Sequence, residues 1–95
     1  VMLDDILYFN SEGRKIHMVT TNGCDSFYYK LDEVEQLLQQ KDHHFARIHK
    51  SYLVNTDYIT EYDKRTLTLE TGQVLNISRY DYYKEVHQLK QALAQ

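Results

Sequence analysis

Three short segments of this 95-residue chain carry basic side chains and no acidic ones. The segments are residues 13–17, 46–51 and 78–80, and their Lys and Arg residues are Arg14, Lys15, Arg47, Lys50 and Arg79. Lys and Arg neutralise phosphates, and Arg also binds guanine bidentately in the major groove. If the three segments meet on one face, that face is suited to DNA.

The total charge argues at first against nucleic acid, because 14 Asp and Glu outnumber 11 Lys and Arg and give a net charge of −3. The distribution of charge changes this interpretation. The three basic segments hold five of the 11 cations and none of the acids, so six cations and 14 acids remain, a net charge of −8 elsewhere. We therefore expect weak non-specific affinity and a DNA contact confined to one face.

Other polar residues in these segments could add contacts to DNA. His49 and Lys50 could reach base edges or phosphates, and Ser51 could donate a neutral hydrogen bond to a phosphate. Arg79 stands just before a predicted helix, where free backbone N–H groups favour phosphate.

The histidines suggest catalysis or metal binding, but their context does not support either. His44 and His49 have an H-x₄-H spacing, with His43 beside them, yet Cys24 is the only thiol and no H-E-x-x-H pattern occurs. Ser51 lies in no nucleophile motif, and the three glycines are isolated. We expect no metal site, no cofactor and no enzymatic activity.

The elements that position these residues are mostly predicted strands. Strands at 4–10, 14–21 and 25–30, joined by a turn at 11–13 and by Asn22-Gly23, form a meander. Residues 45–55 suggest a short strand, a tight turn and a return. Further strands are predicted at 58–63, 66–70 and 73–77.

Two segments have helical periodicity. Leu31, Val34, Leu37 and Leu38 form an apolar stripe that predicts a helix over about 31–40. A second helix is predicted from Ser78-Arg79-Tyr80-Asp81, where Ser78 and Asp81 have the spacing of a capping box. The expected fold is mainly β, with short antiparallel sheets, one short central helix and a C-terminal helix. We treat residues 1–95 as one domain.

The chain has no run of about 18 apolar residues and no basic-then-apolar leader, so we expect no membrane segment and no signal peptide. One Cys fits a reducing compartment, which predicts a cytoplasmic protein.

The central string Arg47-Ile48-His49-Lys50-Ser51-Tyr52-Leu53-Val54-Asn55 resembles the centre of the LytTR DNA-binding domains. Asp5-Ile6-Leu7-Tyr8, the acidic helix 31–38 and Ile77-Ser78-Arg79 resemble the opening strand, the preceding helix and the closing element of that family. The resemblance covers residues 4–93, and its central string is the specific part.

The resemblance implies a bacterial transcription regulator whose loops enter successive major grooves of double-stranded DNA. It implies that His49 and Lys50 make central contacts, that Arg79 makes the C-terminal contact, and that Arg14 or Lys15 contacts DNA from the first hairpin. It further implies two copies on paired direct repeats and an upstream receiver domain of a two-component response regulator. Because Val1 is not Met, we expect this domain to be excised from a longer chain.

The residues leave two alternatives open. Arg47 could instead form a structural ion pair with Asp57 or Glu61. The nine Tyr residues could instead supply a protein-interaction surface. The protein-interaction hypothesis is favoured if the basic segments lie on different faces, whereas DNA binding is favoured if they share one face.

Overall fold

A computed structural model describes residues 3–41 and 44–93 of the chain. His43 therefore lies outside the described residues. Eight strands and two helices follow one another as β1 (Ile6–Glu12), β2 (Lys15–Thr20), β3 (Gly23–Tyr28), α1 (Leu31–Gln39), β4 (Phe45–His49), β5 (Tyr52–Asn55), β6 (Ile59–Tyr62), β7 (Thr66–Leu69), β8 (Val74–Asn76) and α2 (Tyr80–Leu93). Short 3₁₀ turns at Leu3–Asp5 and Thr56–Tyr58 precede β1 and β6.

The strands form two antiparallel sheets. The larger sheet has the order β3-β2-β1-β5-β4, and the smaller sheet has the order β6-β7-β8. The predicted meander is confirmed, and so is the strand, tight turn and return over residues 45–55. The predicted turn positions were wrong: the turns lie at residues 13–14 and 21–22, not at 11–13 and 22–23, because Ser11 and Glu12 pair with β2 and Gly23 pairs with Thr20. The mainly β fold with one short central helix and a C-terminal helix is confirmed as well.

Neighbouring residues along a strand point to opposite faces of a sheet. In the larger sheet both faces are covered, each by a different core. Tyr8 pairs with Val54, and the next residue, Phe9, pairs with Leu53. Phe9 and Leu53 belong to a core that α1 covers, formed by Ile6, Phe9, Ile16, Leu31, Val34, Leu38, Phe45 and Leu53. Tyr8 and Val54 belong to a second core shared with the smaller sheet and α2, formed by Leu7, Tyr8, Ala46, Ile48, Val54, Ile59, Leu67, Leu69, Leu75, Ile77 and Val86.

The residues just before α2 are hydrogen-bonded to the larger sheet. The backbone N–H of Ser78 donates to the carbonyl of Ile48 in β4 at 2.9 Å, and the Ser78 hydroxyl lies 3.5 Å from the same oxygen. Asp81 accepts from the Arg79 side chain at 3.0 Å. The predicted capping-box partners are therefore engaged in other bonds, and the residue before Arg79 lies beside β4.

Among the described residues, neither helix combines the length and apolar character needed to span a lipid bilayer.

Candidate nucleic-acid interface

The antiparallel register brings three connections to one end of the larger sheet. Glu12 pairs with Lys15 across the β1–β2 turn, and Lys15 pairs with Tyr28 at the end of β3. Asn10 pairs with Tyr52, which follows the β4–β5 turn. Residues 13–14, 28–30 and 50–51 therefore lie at the same end of the sheet, which we call the basic end.

Two of the three basic segments meet at the basic end. Arg14 and Lys50 are exposed and line one open depression of about 710 Å³. The two turns are joined directly, because the N–H of Ser11 donates to the carbonyl of Ser51 at 2.8 Å. Lys15 is exposed in β2, with its ammonium 5.6 Å from the centre of the Tyr28 ring.

The β4–β5 turn consists of Lys50 and Ser51, between His49 and Tyr52. The N–H of Ser51 donates to Nδ1 of His49 at 3.1 Å. In the neutral imidazole the proton is then on Nε2, which becomes a hydrogen-bond donor. The turn thus presents the exposed ammonium of Lys50, the half-buried Ser51 and an imidazole with a defined tautomer.

The Arg47 side chain forms hydrogen bonds both to the backbone of this turn and to α1. Its Nε donates to the His49 carbonyl at 2.8 Å, and Nη2 donates to the Lys50 carbonyl. Its Nη1 donates to Asp32 at 2.7 Å and to Glu35 at 2.9 Å, both on α1. The predicted partners of an Arg47 ion pair, Asp57 and Glu61, were therefore wrong.

The environment of Arg47 is unlike that of the other four cations in the basic segments, which are exposed. Its side chain is only 11% exposed. Burial lowers the pKa of the guanidinium, while the bonds to Asp32 and Glu35 raise it, and the net shift is upward. The guanidinium therefore stays charged and directs its donors to protein acceptors.

The third basic segment lies next to β4 through the Ser78–Ile48 bond. The Arg79 side chain is 65% exposed, and its guanidinium carbon is 5.3 Å from the centre of the Tyr82 ring. The N–H of Ile77 donates to the Arg65 carbonyl at 2.7 Å, which brings the β6–β7 turn beside this segment. We call this group the Arg79 corner; its members are Lys64, Arg65, Arg79, Tyr80 and Lys84.

Several of these cations are not in the basic segments found from sequence. Lys30 lines the depression with Arg14 and Lys50. Lys64 and Lys84 lie 5.9 and 6.0 Å from the centre of the Tyr80 ring. The adjacent Lys64-Arg65 pair was a visible signal, but only the bond from Ile77 to Arg65 reveals its neighbours.

The basic end also includes acids. Glu12 faces Lys15 across the turn, and its carboxylate is 3.4 Å from His17. The two most exposed tyrosines described, Tyr28 at 76% and Tyr80 at 60%, both lie beside lysine ammonium groups. The basic end and the Arg79 corner are therefore cationic and aromatic rather than apolar.

The histidines considered as metal ligands have separate partners. His44 is 3.0 Å from Asp57, whereas His49 accepts from Ser51. Within residues 3–41 and 44–93, no group of three or more His, Cys, Asp or Glu side chains could hold a metal ion.

Comparison with known proteins places these features in one family. A family model described as the LytTr DNA-binding domain matches residues 1–93. A solved structure from Bacillus cereus, the LytTr DNA-binding domain assigned to a methyl-accepting/DNA response regulator, is similar in fold with a TM-score of 0.77 and 22% identity. That match covers 94% of this chain and 84% of the other. No curated protein matches the chain in sequence.

Proposed function

Because this chain belongs to the LytTR family of DNA-binding domains, we propose that it binds double-stranded DNA sequence-specifically and thereby regulates transcription. The observation that carries the proposal is the convergence of the basic segments. Two backbone bonds, Ser11 to Ser51 and Ser78 to Ile48, join the β1 residues just before the first segment, and the third segment itself, to the β4–β5 hairpin.

The proposed contacts follow from exposure. Lys50 and Arg14 are exposed at the basic end, and Arg79 is exposed at its corner. We assign His49 and Lys50 to the central contact, where a flexible ammonium suits a phosphate and an Nε2–H suits a base acceptor. Arg79 has the planar guanidinium that guanine binds bidentately.

The remaining three residues have supporting roles in the proposal. Lys15 and Ser51 contact the DNA backbone in this proposal, since Lys15 follows the turn that carries Arg14 and Ser51 shares its turn with Lys50. Arg47 is a positioning residue, because its donors are bonded to the carbonyls of His49 and Lys50 and to two carboxylates. This assignment favours the structural alternative for Arg47 over direct contact.

The dimensions of the molecule suit contact on one side of a duplex. Its longest extent is 33 Å, close to the roughly 34 Å of one helical turn of B-DNA. We propose that the β4–β5 turn and Arg79 enter successive major grooves. By the family resemblance, two copies would occupy paired direct repeats, and the domain would be the output of a response regulator with a receiver domain.

The test is selection of duplexes from random-sequence DNA, followed by titration of the selected duplex and a scrambled duplex over a salt series. We expect tighter binding to the selected duplex and a linear fall of log K with log salt. Failure to enrich any sequence, or binding that does not respond to salt, would overturn the proposal. Measured stoichiometry on duplexes with one or two copies of the selected site tests the pairing.

A further inference from the structure

The depression at the basic end has a lining that the proposed contacts do not explain. Besides Arg14 and Lys50, it is lined by Tyr28, Tyr29 and Lys30, at the end of β3 and before α1. Its volume of about 710 Å³ is within the range of roughly 300–1,000 Å³ common for ligand sites. The depression is open to solvent, which suits a chain-like ligand that crosses it.

The tyrosines in this lining are unusually exposed. Tyr28 is 76% exposed and Tyr29 is 41% exposed. A tyrosine ring packs against apolar surface, while its hydroxyl bonds to a polar group, so the residue is favoured where a ligand has both. A sugar–phosphate backbone has both, and Tyr is among the residues that contact phosphate oxygens in DNA complexes.

The charges around the depression select for an anion. Arg14, Lys30 and Lys50 form no ion pair with another residue of the described ranges, and Lys15 lies over Tyr28. The one acid in the lining, Asp32, already accepts from Arg47 at 2.7 Å. Three cations are thus left without counter-charge on one concave surface.

Hydrogen bonds fix the walls of the depression relative to one another. The N–H of Tyr29 donates to the Arg14 carbonyl at 3.2 Å, and Ser11 is bonded to Ser51 across the opposite wall. The depression is therefore formed before any ligand arrives, which lowers the entropy cost of binding.

We propose that this depression binds a phosphate of the DNA backbone beside the contacted bases, with the Lys30 ammonium as its electrostatic contact and the Tyr28 hydroxyl as its hydrogen-bond donor. The inference rests on the proposed function and extends it to residues outside the three basic segments. It assigns Lys30 and Tyr28 to affinity rather than to sequence preference, since phosphates are the same at every base pair.

The experiment compares Lys30→Ala with Lys41→Ala on the selected and scrambled duplexes. Lys41 is an exposed lysine that follows the opposite end of α1 and does not line the depression, so it is the matched control. Lys30→Ala should make the slope of log K against log salt less steep by about 0.9, the value for one lost phosphate contact. It should weaken both duplexes by the same factor, and Tyr28→Phe should weaken both about threefold.

A scan with single methylphosphonates locates the contact. One neutral linkage should weaken wild-type binding but cause no further loss in Lys30→Ala, whereas other linkages should weaken both proteins equally. If Lys30→Ala matches Lys41→Ala while the wild type still binds specifically, this inference is overturned and the proposed function stands. If the wild type shows no specific, salt-dependent binding, the proposed function itself fails.

Discussion

The β4–β5 turn and the Arg79 corner serve the same proposed surface, but they are held in different ways. The backbone of the turn is bonded to the half-buried guanidinium of Arg47, which is itself bonded to α1, 12 and 15 residues away in the chain. Among the residues that the structure describes, the Arg79 side chain contacts Asp81 and Tyr82, two and three residues away. Tertiary backbone bonds place both regions, but a side chain bonded to a distant helix holds the turn, whereas the Arg79 side chain itself has local partners.

This difference determines what each region contributes to binding. A turn fixed before contact loses little further conformational freedom on DNA, whereas an exposed Arg side chain loses up to about 2 kcal/mol of rotamer entropy when it is ordered. Substitutions that release the turn should therefore alter stability and specificity together. Substitutions at the corner should alter DNA binding alone.

The largest effect is expected from Arg47→Ala. Loss of the guanidinium leaves Glu35 and two backbone carbonyls without their donors. We expect the free energy of unfolding in urea to fall by about 2 kcal/mol, because partly buried acceptors lose charge-assisted hydrogen bonds. Binding to the selected duplex should weaken while its salt slope is unchanged, because no phosphate contact is lost.

Arg14→Ala is the matched control, since Arg14 is exposed at the same end of the sheet. It should leave stability within about 0.5 kcal/mol of wild type and make the salt slope less steep. If Arg47→Ala retains full stability and instead reduces the slope, Arg47 contacts DNA directly and the contrast between the two regions is broken.

Arg79→Ala should have the next largest effect, and only on DNA. We expect a loss of about 1–3 kcal/mol in binding to the selected duplex, as for a lost bidentate base contact, with the melting temperature unchanged. Arg79→Lys retains the charge, so it should retain the salt slope and still lose discrimination between selected and scrambled duplexes. Unchanged discrimination in both variants would remove Arg79 from the site.

The two acids that hold Arg47 should differ in strength. The Glu35 side chain is 22% exposed, whereas that of Asp32 is 82% exposed. Because solvent screens exposed pairs, Glu35→Gln should cost about 1 kcal/mol of stability and Asp32→Asn less than about 0.5 kcal/mol. Urea unfolding of both variants measures the difference, and equal costs would mean that burial does not govern this network.

The smallest effect is expected in the β6–β7 turn beside the Arg79 corner. The Asp63 carboxylate accepts from the backbone N–H groups of Arg65 at 2.7 Å and Thr66 at 2.9 Å, and these bonds lower its pKa. A lowered folded-state pKa contributes stability above the unfolded pKa of about 3.9 and loses it as pH falls through the folded value. Asp63→Asn should therefore lower the melting temperature at pH 7 more than at pH 3.

An equal shift of the melting temperature at pH 7 and pH 3 would contradict this prediction. Thr60→Ala in the same hairpin is a suitable reference, because the Thr60 hydroxyl bond to the Thr68 carbonyl involves no ionisable group.

Local sequence signals were enough to predict most elements of the fold. The Asn22-Gly23 signal predicted the β2–β3 hairpin, although Gly23 begins β3 and the turn lies at residues 21–22. The stripe from Leu31 to Leu38 predicted α1; three of its four members are buried, and the fourth, Leu37, is 48% exposed. Boundaries moved by one or two residues where 3₁₀ turns occupy the predicted strand starts. Leu3–Asp5 and Thr56–Tyr58 are such turns, and Asn55 caps the second through its side chain.

The site was predicted less completely, because its geometry depends on contacts distant in sequence. The string around His49 indicated the central turn, but the sequence does not distinguish the exposed Arg14 from the half-buried Arg47. That difference arises because α1 crosses the sheet and sets Asp32 and Glu35 against Arg47. Lys30 and Lys64 were missed for the same reason, since only the folded chain brings them to the basic end and the Arg79 corner.

The hydrogen bonds from Arg47 end on the carbonyl oxygens of His49 and Lys50, not on their side chains. Every amino acid supplies the same carbonyl, so the side chain at position 50 can be exchanged while the shape of the loop is preserved. The groups that shape this loop are therefore different from the side chain that it presents. An engineer could therefore replace Lys50, which the proposal assigns to a phosphate, with side chains that reach a base edge, and add a sequence preference without rebuilding the hydrogen bonds beneath the turn.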